Sequence, residues 1–470
     1  MNILKKLKEK GFDTVPAEFY SMIDLWKSWY DGEVKNFHRY RIFNGVQNVN
    51  CTRYSMGMGK KVSEDWANLL LNEKAKITID GEKEQAFFDS VCADNNFEIK
   101  ANEMQEMKSA LGTAAYVVRV VDVAVNRESG EIAVNGSGRI KIDYVTAQNI
   151  FPISWENGIV RECAFASSVT VSGENYLYLQ IHRIGNDGNY VIENMIYHDE
   201  NENLTPVNLT DVRGYENIPP IVKTGSAKRQ FVIDRLNIAN NYDITLPMGI
   251  PAFANAIPQL KGVDIAFDGY INEFVLGKKR VMFKPSAAKN MEGEYVFDPN
   301  ETAYYYLEED SEGGGIVQPI DMSLRTGDYN AGLQDMLNAL SSKCGFGRNY
   351  YKFDNGSIAT ATQVVSENQD LQATVHKHGI LLKSAMQELA GVIIRLGNSI
   401  LKMGLNEDAQ VNVELDDSIF VDRESELNDM RLDVSSGILK PEIYIAKKYG
   451  VSTEEAKNMM PDMEEQLVSS

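Results

Sequence analysis

Hydrophobic residues recur at three- and four-residue steps through residues 1 to about 110, which is the period of helices with one buried face. The pattern predicts helices over residues 17–30, 63–71 and 83–91. Three tryptophans fall within these segments and are expected to anchor a first core: Trp26, Trp29 and Trp66.

The hydrophobic period changes to two from residue 114 to about residue 222, which is typical of strands. The clearest hairpin covers residues 176–197, where two alternating runs flank a Gly-Asn-Asp-Gly turn. Residues 1 to about 245 therefore predict one mixed α+β block. The proline-rich segment 246–251 ends this block, because proline continues neither a sheet ladder nor a helix interior.

Helical and strand-like patterns alternate in the second half of the chain. A helix is predicted over residues 252–276, then short strands to about residue 325, then a helix from Thr326 to about Lys343. Glycines and an Asn-Gly pair make residues 345–356 an irregular loop that is both aromatic and basic. Beyond that loop, apolar positions from 360 to about 402 indicate one long helix of roughly 60 Å.

The chain is acidic, with 67 Asp and Glu against 47 Lys and Arg and a formal charge of −20. A protein of this charge repels polyphosphate, so tight, salt-sensitive binding to duplex DNA is not expected. About half of the excess lies in residues 405–470, where a short helix is predicted near Pro441. The four scattered cysteines indicate reduced thiols, and neither a signal peptide nor a membrane span is expected.

Motifs of common catalytic centres are missing from the sequence. Gly57-Met58-Gly59-Lys60-Lys61 lacks the first glycine and the Ser or Thr of a phosphate-binding loop. His376 and His378 are two residues apart on a predicted helix, so they point in different directions and cannot share one metal ion. We therefore expect no enzyme activity, no cofactor and no metal.

The order of these elements resembles that of portal proteins of tailed bacteriophages. Residues 246–274, LPMGIPAFANAIPQLKGVDIAFDGYINEF, resemble the first stem helix of that family. Residues 277–283, GKKRVMF, resemble the entry into its clip, and residues 358–371, IATATQVVSENQDL, resemble the start of the long helix after its tunnel loop. Residues 66–73 and 179–183 resemble parts of its wing, and the whole resembles the subgroup from siphophages of Gram-positive hosts.

The resemblance implies an α+β subunit divided as portal subunits are. The expected divisions are the wing at 1–251, first stem helix at 252–277, β-rich clip at 278–325, second stem helix at 326–344, tunnel loop at 345–357, long helix at 358–404 and acidic helical crown at 405–470.

The function that the resemblance implies is a ring, usually of twelve copies, at one capsid vertex of the virion. Double-stranded DNA would enter and leave through the ring without sequence-specific binding. The implied partners are further copies of the chain, the large terminase subunit, a head-tail adaptor, the scaffold and the major capsid protein, after assembly in the host cytoplasm and without a membrane. An acidic chain suits this role, because basic residues would neutralise phosphates and hold a sliding polyanion.

Three groups of candidate site residues follow from the resemblance, each with a structural alternative. The candidate DNA contacts of the tunnel loop are Arg348, Asn349, Lys352 and Asn355, and the alternative is that its cations are ordinary charges of a loop. Asp264 and Asp268, one helical turn apart, are candidate channel-facing carboxylates or else a solvated helical face. The candidate partner-binding residues of the clip, which would otherwise stabilise the C-terminus of the stem helix, are Lys278, Lys279 and Arg280.

Two other classes of function remain open on the sequence alone. Another non-enzymatic phage structural protein, such as a minor capsid or baseplate component, would share the acidic, cysteine-poor composition. A nuclease or NTPase is the third class, and the missing phosphate loop and metal motif weigh against it.

Overall fold

The computed structural model describes residues 2–72, 75–132, 138–200, 203–277, 280–283, 304–306, 317–320, 323–353, 361–415, 423–451 and 453–460. The chain divides into two units, Met1–Glu414 and Leu415–Ser470. Helices and several separate sheets occur together in the first unit, which confirms the α+β class.

Each helix that the periodicity predicts in the first unit is present, and two further helices, over residues 2–9 and 97–111, were not predicted. Within the described ranges the helices are α1 (Asn2–Glu9), α2 (Ala17–Tyr30), α3 (Met58–Leu70), α4 (Glu82–Asp94), α5 (Phe97–Leu111), α6 (Ile257–Leu276), α7 (Thr326–Lys343) and α8 (Ala361–Ser399).

The strands gather mainly between α5 and α6. They are β1 (Arg39–Phe43), β2 (Asn48–Thr52), β3 (Lys76–Ile79), β4 (Thr113–Val121), β5 (Arg139–Thr146), β6 (Ile150–Glu156), β7 (Ile159–Val171), β8 (Glu174–Ile184), β9 (Tyr190–Glu200), β10 (Asn203–Val207), β11 (Ile221–Lys223), β12 (Phe231–Arg235), β13 (Arg280–Phe283), β14 (Tyr304–Tyr306), β15 (Val317–Ile320) and β16 (Val411–Glu414).

An antiparallel sheet in the order β10-β9-β8-β7-β6, with β11 on β9, forms the largest layer of the first unit. Its inward residues, among them Leu179 and Ile181, are fully buried beside Leu7 of α1. The predicted hairpin over 176–197 is confirmed as β8 and β9, and Gly188 supplies the positive φ that its turn needs. A smaller sheet, β12-β4-β5, packs against α5 and α8.

A β-hairpin interrupts the region that the periodicity assigned mainly to helices. β1 and β2 pair in antiparallel register around Asn44-Gly45, where Gly45 has a φ of 94°. Asn-Gly between alternating residues is a strong hairpin signal, and the short strands carry too few residues to show in a helical window.

Helices α6 and α7 pack side by side in opposite directions. A Cβ added at Gly262 would meet Met336, and one added at Gly269 would meet Tyr329, so both glycines let the helices approach closely. The described strands between these helices form the sheet β14-β13-β15. The short strands expected up to about residue 325 are thus confirmed within the described part of this region.

The long helix α8 connects the sheets to the end of the first unit. Arg229, just before β12, forms a bidentate ion pair with Glu388 of α8, with N···O distances of 2.7 and 2.8 Å. After α8 the chain returns as β16, which pairs with β3 from the N-terminal region. Residues 405–414, grouped by the resemblance with the crown, therefore belong to the first unit.

The second unit contains helices in its described part. They are α9 (Arg423–Ser435), α10 (Pro441–Tyr449) and α11 (Thr453–Asn458). The prediction of a short helix beginning near Pro441 is confirmed. Proline is tolerated at the first helical position because the backbone N–H that it lacks would have no partner within the helix. None of the helices in the described ranges of either unit has the length and apolar character needed to cross a membrane.

Candidate functional site

The aromatic loop, which we define as Gly345–Phe353, connects α7 to the region before α8. Gly345, Gly347 and Asn349 have φ values of 86°, 84° and 74°, in the left-handed region that glycine and asparagine tolerate best. These alternating left-handed residues turn the chain sharply after α7. The predicted irregular loop is therefore confirmed over its described part.

Stacked rings fix the inner side of the aromatic loop. Phe346 stacks on Trp66 of α3 with 4.8 Å between ring centroids, and Tyr350 stacks on Phe346 at 4.5 Å. Trp66 also donates its indole N–H to the carbonyl of Cys344 at 3.2 Å. The ring of His378, on α8, packs edge-to-face against Trp66 with 4.9 Å between ring centroids, so α3, the loop and α8 share one aromatic cluster.

Helix α7 holds the second half of the aromatic loop through Gln334. Its side-chain amide donates to the carbonyl of Tyr351 at 2.8 Å and accepts the backbone N–H of Phe353 at 2.7 Å. The hydroxyl of Ser341 accepts the N–H of Tyr351 at 3.3 Å. Backbone groups that no regular element satisfies thus find side-chain partners on α7.

The outer side of the aromatic loop carries its cations. Arg348 and Lys352 are exposed, and neither forms an ion pair with another residue in the part of the chain that the structure describes. Asn349 is half-buried and has left-handed backbone angles, so it helps to form the turn of the loop. Asn355, the fourth candidate of this loop, lies outside the described residues.

Burial keeps the titratable groups at the base of the loop uncharged. It raises the pKa of the Cys344 thiol and of the Tyr350 hydroxyl, each to about 12. Burial, followed by the charges of Lys108 and Lys377, lowers the pKa of His378 to about 3. These three groups are therefore uncharged at neutral pH, and the cations of the loop are those on its outer side.

An ion pair joins α6 and α7 at the end of the pair where α6 ends and α7 begins. Arg325, just before α7, binds both carboxylate oxygens of Glu273 on α6, and its Nη2–Oε2 distance is 2.9 Å. These hydrogen bonds hold the pKa of Glu273 below its usual range. Tyr329 lies beneath the guanidinium, 5.5 Å from ring centroid to Cζ. The Arg325–Glu273 ion pair therefore holds the end of α6 to the start of α7, next to the strands within residues 280–320.

Asp264 and Asp268 do not lie on an exposed face, so that prediction is wrong. Both are buried, because the segment around β1 and β2 covers this side of α6. Asp264 accepts hydrogen bonds from the His38 ring and the Met56 N–H, each at 2.8 Å. Asp268 accepts the backbone N–H of Tyr54 at 3.0 Å. The carboxylates anchor the segment around β1 and β2 to α6, and they do not face solvent in the single chain.

The clip candidates are only partly described. Arg280 is the first residue of β13 and pairs in register with Ile320. Lys278 and Lys279 lie outside the described residues.

Two other sequence features have ordinary structural roles. Lys61 donates to Asp65 at 2.6 Å and Lys60 pairs with Glu106, so the lysines of the Gly57–Lys61 segment are engaged by carboxylates. His376 is exposed while His378 is buried, which confirms that they point apart. Among the described residues, no group of His, Cys, Asp and Glu could hold a metal ion.

Sequence reasoning missed the residues that attach the N-terminal hairpin to α6. His38 and Ser55 flank the hairpin and both contact Asp264. The signal that was present is the Asn44-Gly45 turn, which predicts the hairpin but not its position on a helix more than 200 residues away.

Comparison with known families gives one match that spans nearly the whole chain. The model of the family described as phage portal protein, SPP1 Gp6-like, matches residues 13–467. A search of curated proteins found no match.

Proposed function

The chain belongs to the phage portal proteins of the SPP1 Gp6-like family, and from this premise we propose that it forms a closed ring at one capsid vertex, through which double-stranded DNA is packaged and ejected. The expected ring has twelve copies. Closed cyclic symmetry suits such a chain, because each copy then uses the same two surfaces to meet its two neighbours.

The match over residues 13–467 is the observation that carries this proposal, and the geometry of the aromatic loop supports it. Arg348 and Lys352 project from a loop whose other side is held by stacked rings and by Gln334. Twelve copies would set such loops around a pore as a ring of weak contacts to phosphate. Because these cations are few and the protein is acidic, such contacts would release readily, as a moving duplex requires.

The ends of the proposed conduit would meet other phage proteins. We assign docking of the large terminase subunit and the head-tail adaptor to the clip, where Lys278, Lys279 and Arg280 are the candidate residues. The scaffold and the major capsid protein would meet the wing, which we place at residues 1–251. The acidic C-terminal residues would form the crown inside the capsid.

Electron microscopy of the purified full-length protein tests the proposal. We expect closed rings of about twelve copies with a central hole wide enough for a duplex of about 20 Å. A chain that stays monomeric at high concentration, or that forms open filaments, would overturn the conduit. A closed ring without a hole of this width would favour a minor capsid or baseplate role instead.

A further inference from the structure

The hairpin of β1 and β2 is almost wholly exposed in the single chain. Every residue from Arg41 to Asn50 is exposed, to 86% at Val46 and 64% at Phe43. Within the described residues, neither strand pairs with a third strand. A two-stranded ribbon is marginally stable in water unless one face is packed, so this element needs a partner surface.

The register of the hairpin separates its side chains into two faces. One face is apolar and consists of Tyr40, Ile42, Val49 and Cys51. The opposite face is mainly polar and carries Arg39, Arg41, Asn48, Asn50 and Thr52, with Phe43 beside Asn48 at the end nearest the turn. Alternation of this kind is typical of a sheet with one covered face, and in the single chain Ile42 is still half exposed.

The charge of this region is opposite to that of the chain. Residues 34–63 contain no acidic residue within a chain of charge −20. The cations of this segment are Lys35, Arg39, Arg41, Arg53, Lys60 and Lys61, of which Arg39, Lys60 and Lys61 already pair with Glu33, Glu106 and Asp65 of the same chain. A surface that complements the hairpin is therefore acidic, with an apolar patch at its centre.

The root of the hairpin is held firmly, so its tip projects from a fixed position. Buried Asp264 and Asp268 of α6 bind residues just before β1 and just after β2. Arg53 adds a hydrogen bond to the Phe37 carbonyl and lies over the rings of Phe37 and Tyr40. A preorganised element of this kind loses little conformational entropy when it binds.

We propose that the hairpin docks on a second copy of this chain. The inference rests on the proposed ring and identifies one of its contacts. Exposed Ile42, Phe43 and Val46 favour a protein over DNA, because a phosphate backbone offers them no apolar surface to bury against. In a closed ring the contact is heterologous, so the hairpin meets a different patch of its neighbour.

Charge complementarity assigns that patch to the acidic groove, which we define as the surface between β3 and α4. It is an open depression of about 670 Å³, and its lining includes Asp80, Glu82 and Asp89 together with Lys76. Ile77 and Ala86 add apolar surface between these carboxylates. The groove thus offers both features that the hairpin requires, acidic residues and an apolar centre.

Charge reversal on the hairpin tests the proposal in the full-length protein. Arg41→Glu is compared with Lys8→Glu, which makes the same charge change at an exposed residue of α1. Native mass spectrometry over a dilution series should show Arg41→Glu rings dissociating at a tenfold or higher protein concentration than rings of wild type and Lys8→Glu. Equal ring stability in both variants overturns the inference while leaving the proposed function intact. A wild type that forms no ring overturns the proposed function itself.

A charge swap tests the groove. Asp89→Lys alone should weaken the ring, and combined with Arg41→Glu it should restore stability to within about threefold of wild type, since the pair regains its attraction. A double variant as weak as the sum of its single changes overturns the groove as acceptor. Arg41→Glu rings of full stability that fill poorly with DNA would assign the hairpin to DNA and overturn the protein contact.

Discussion

The ring of His38 and the carboxylate of Asp264 lie 2.8 Å apart and join residues separated by 226 positions. His38 accepts the backbone N–H of Val34 at Nδ1, at 2.7 Å, so Nε2 carries the proton that Asp264 accepts. The same carboxylate accepts the N–H of Met56 and the hydroxyl of Ser55. One buried side chain thereby attaches the N-terminal hairpin to helix α6.

Asp264→Asn is expected to destabilise the first unit by about 1–3 kcal/mol, because the new amide places donors against donors at a buried site. Denaturant unfolding at low protein concentration, followed by tryptophan fluorescence, measures the change, and Trp29 lies 5.8 Å from the His38 ring. Asp408→Asn, at an exposed carboxylate, is the matched control. Equal unfolding midpoints for the two variants would contradict the role of Asp264 as an anchor.

Gln334→Ala is expected to loosen the aromatic loop without unfolding α7. It removes the acceptor of the Phe353 N–H and the donor to the Tyr351 carbonyl, a local cost of about 1–3 kcal/mol. Hydrogen exchange should therefore be faster by about one to two orders of magnitude at the Phe353 amide. Gln334→Glu is the informative comparison, since it keeps the acceptor for Phe353 and loses the donor. Unchanged exchange in both variants would mean that the stacked rings alone hold the loop.

Much of the fold could be predicted from local pattern, because helix and strand periods depend on neighbours in sequence. Helices α2, α7 and α10 and the β8–β9 hairpin appear within a few residues of their predicted limits. The pairing of β16 with β3 joins residues more than 300 positions apart, and no local period encodes such a contact.

Among the candidate site residues, the sequence predicted solvent exposure correctly only where exposure depends on the local composition. The cations of the aromatic loop are exposed as expected, since turn-rich basic loops lie at the surface. Asp264 and Asp268 were misjudged because charged residues one turn apart usually mark a solvated face. Here the two carboxylates accept hydrogen bonds from backbone N–H groups more than 200 residues away in sequence. The sequence around residue 264 gives no sign of that distant segment.

Lys352→Glu is expected to reduce DNA filling of assembled heads while leaving rings intact. The change places a carboxylate on the outer side of the loop in every copy, and phosphate would be repelled at each. Packaged DNA is measured by nuclease protection, and Lys10→Glu on an exposed N-terminal residue controls for the charge change. Heads filled as well as in wild type would remove this loop from the DNA path.

Gly249→Ala is expected to destabilise the first unit by several kcal/mol, through a backbone clash. A Cβ at position 249 would lie 2.4 Å from the carbonyl oxygen of Gly112, and backbone cannot move aside as a flexible side chain can. Gly391→Ala, inside α8 with open space around the added methyl, should instead stabilise by about 1 kcal/mol. Thermal melting of both variants provides the measurement, and a shift of the same sign in both would contradict the close approach at Gly112.

His182→Phe is expected to stabilise the protein more in acid than at neutral pH. The His182 ring is buried between Phe165 and Phe231, and within the described residues neither ring nitrogen has a hydrogen-bond partner. Burial, and secondarily the charge of Arg119, lowers its pKa from 6.5 to about 3.

Between pH 3 and pH 6.5 the His182 ring binds a proton in the unfolded chain but not in the folded chain, so this residue costs stability as the pH falls below 6.5. Phenylalanine removes the proton site, and its gain in unfolding free energy should be about 2 kcal/mol larger at pH 5 than at pH 8. Gains of equal size at the two pH values would mean that His182 takes up its proton in the folded chain as readily as in the unfolded one.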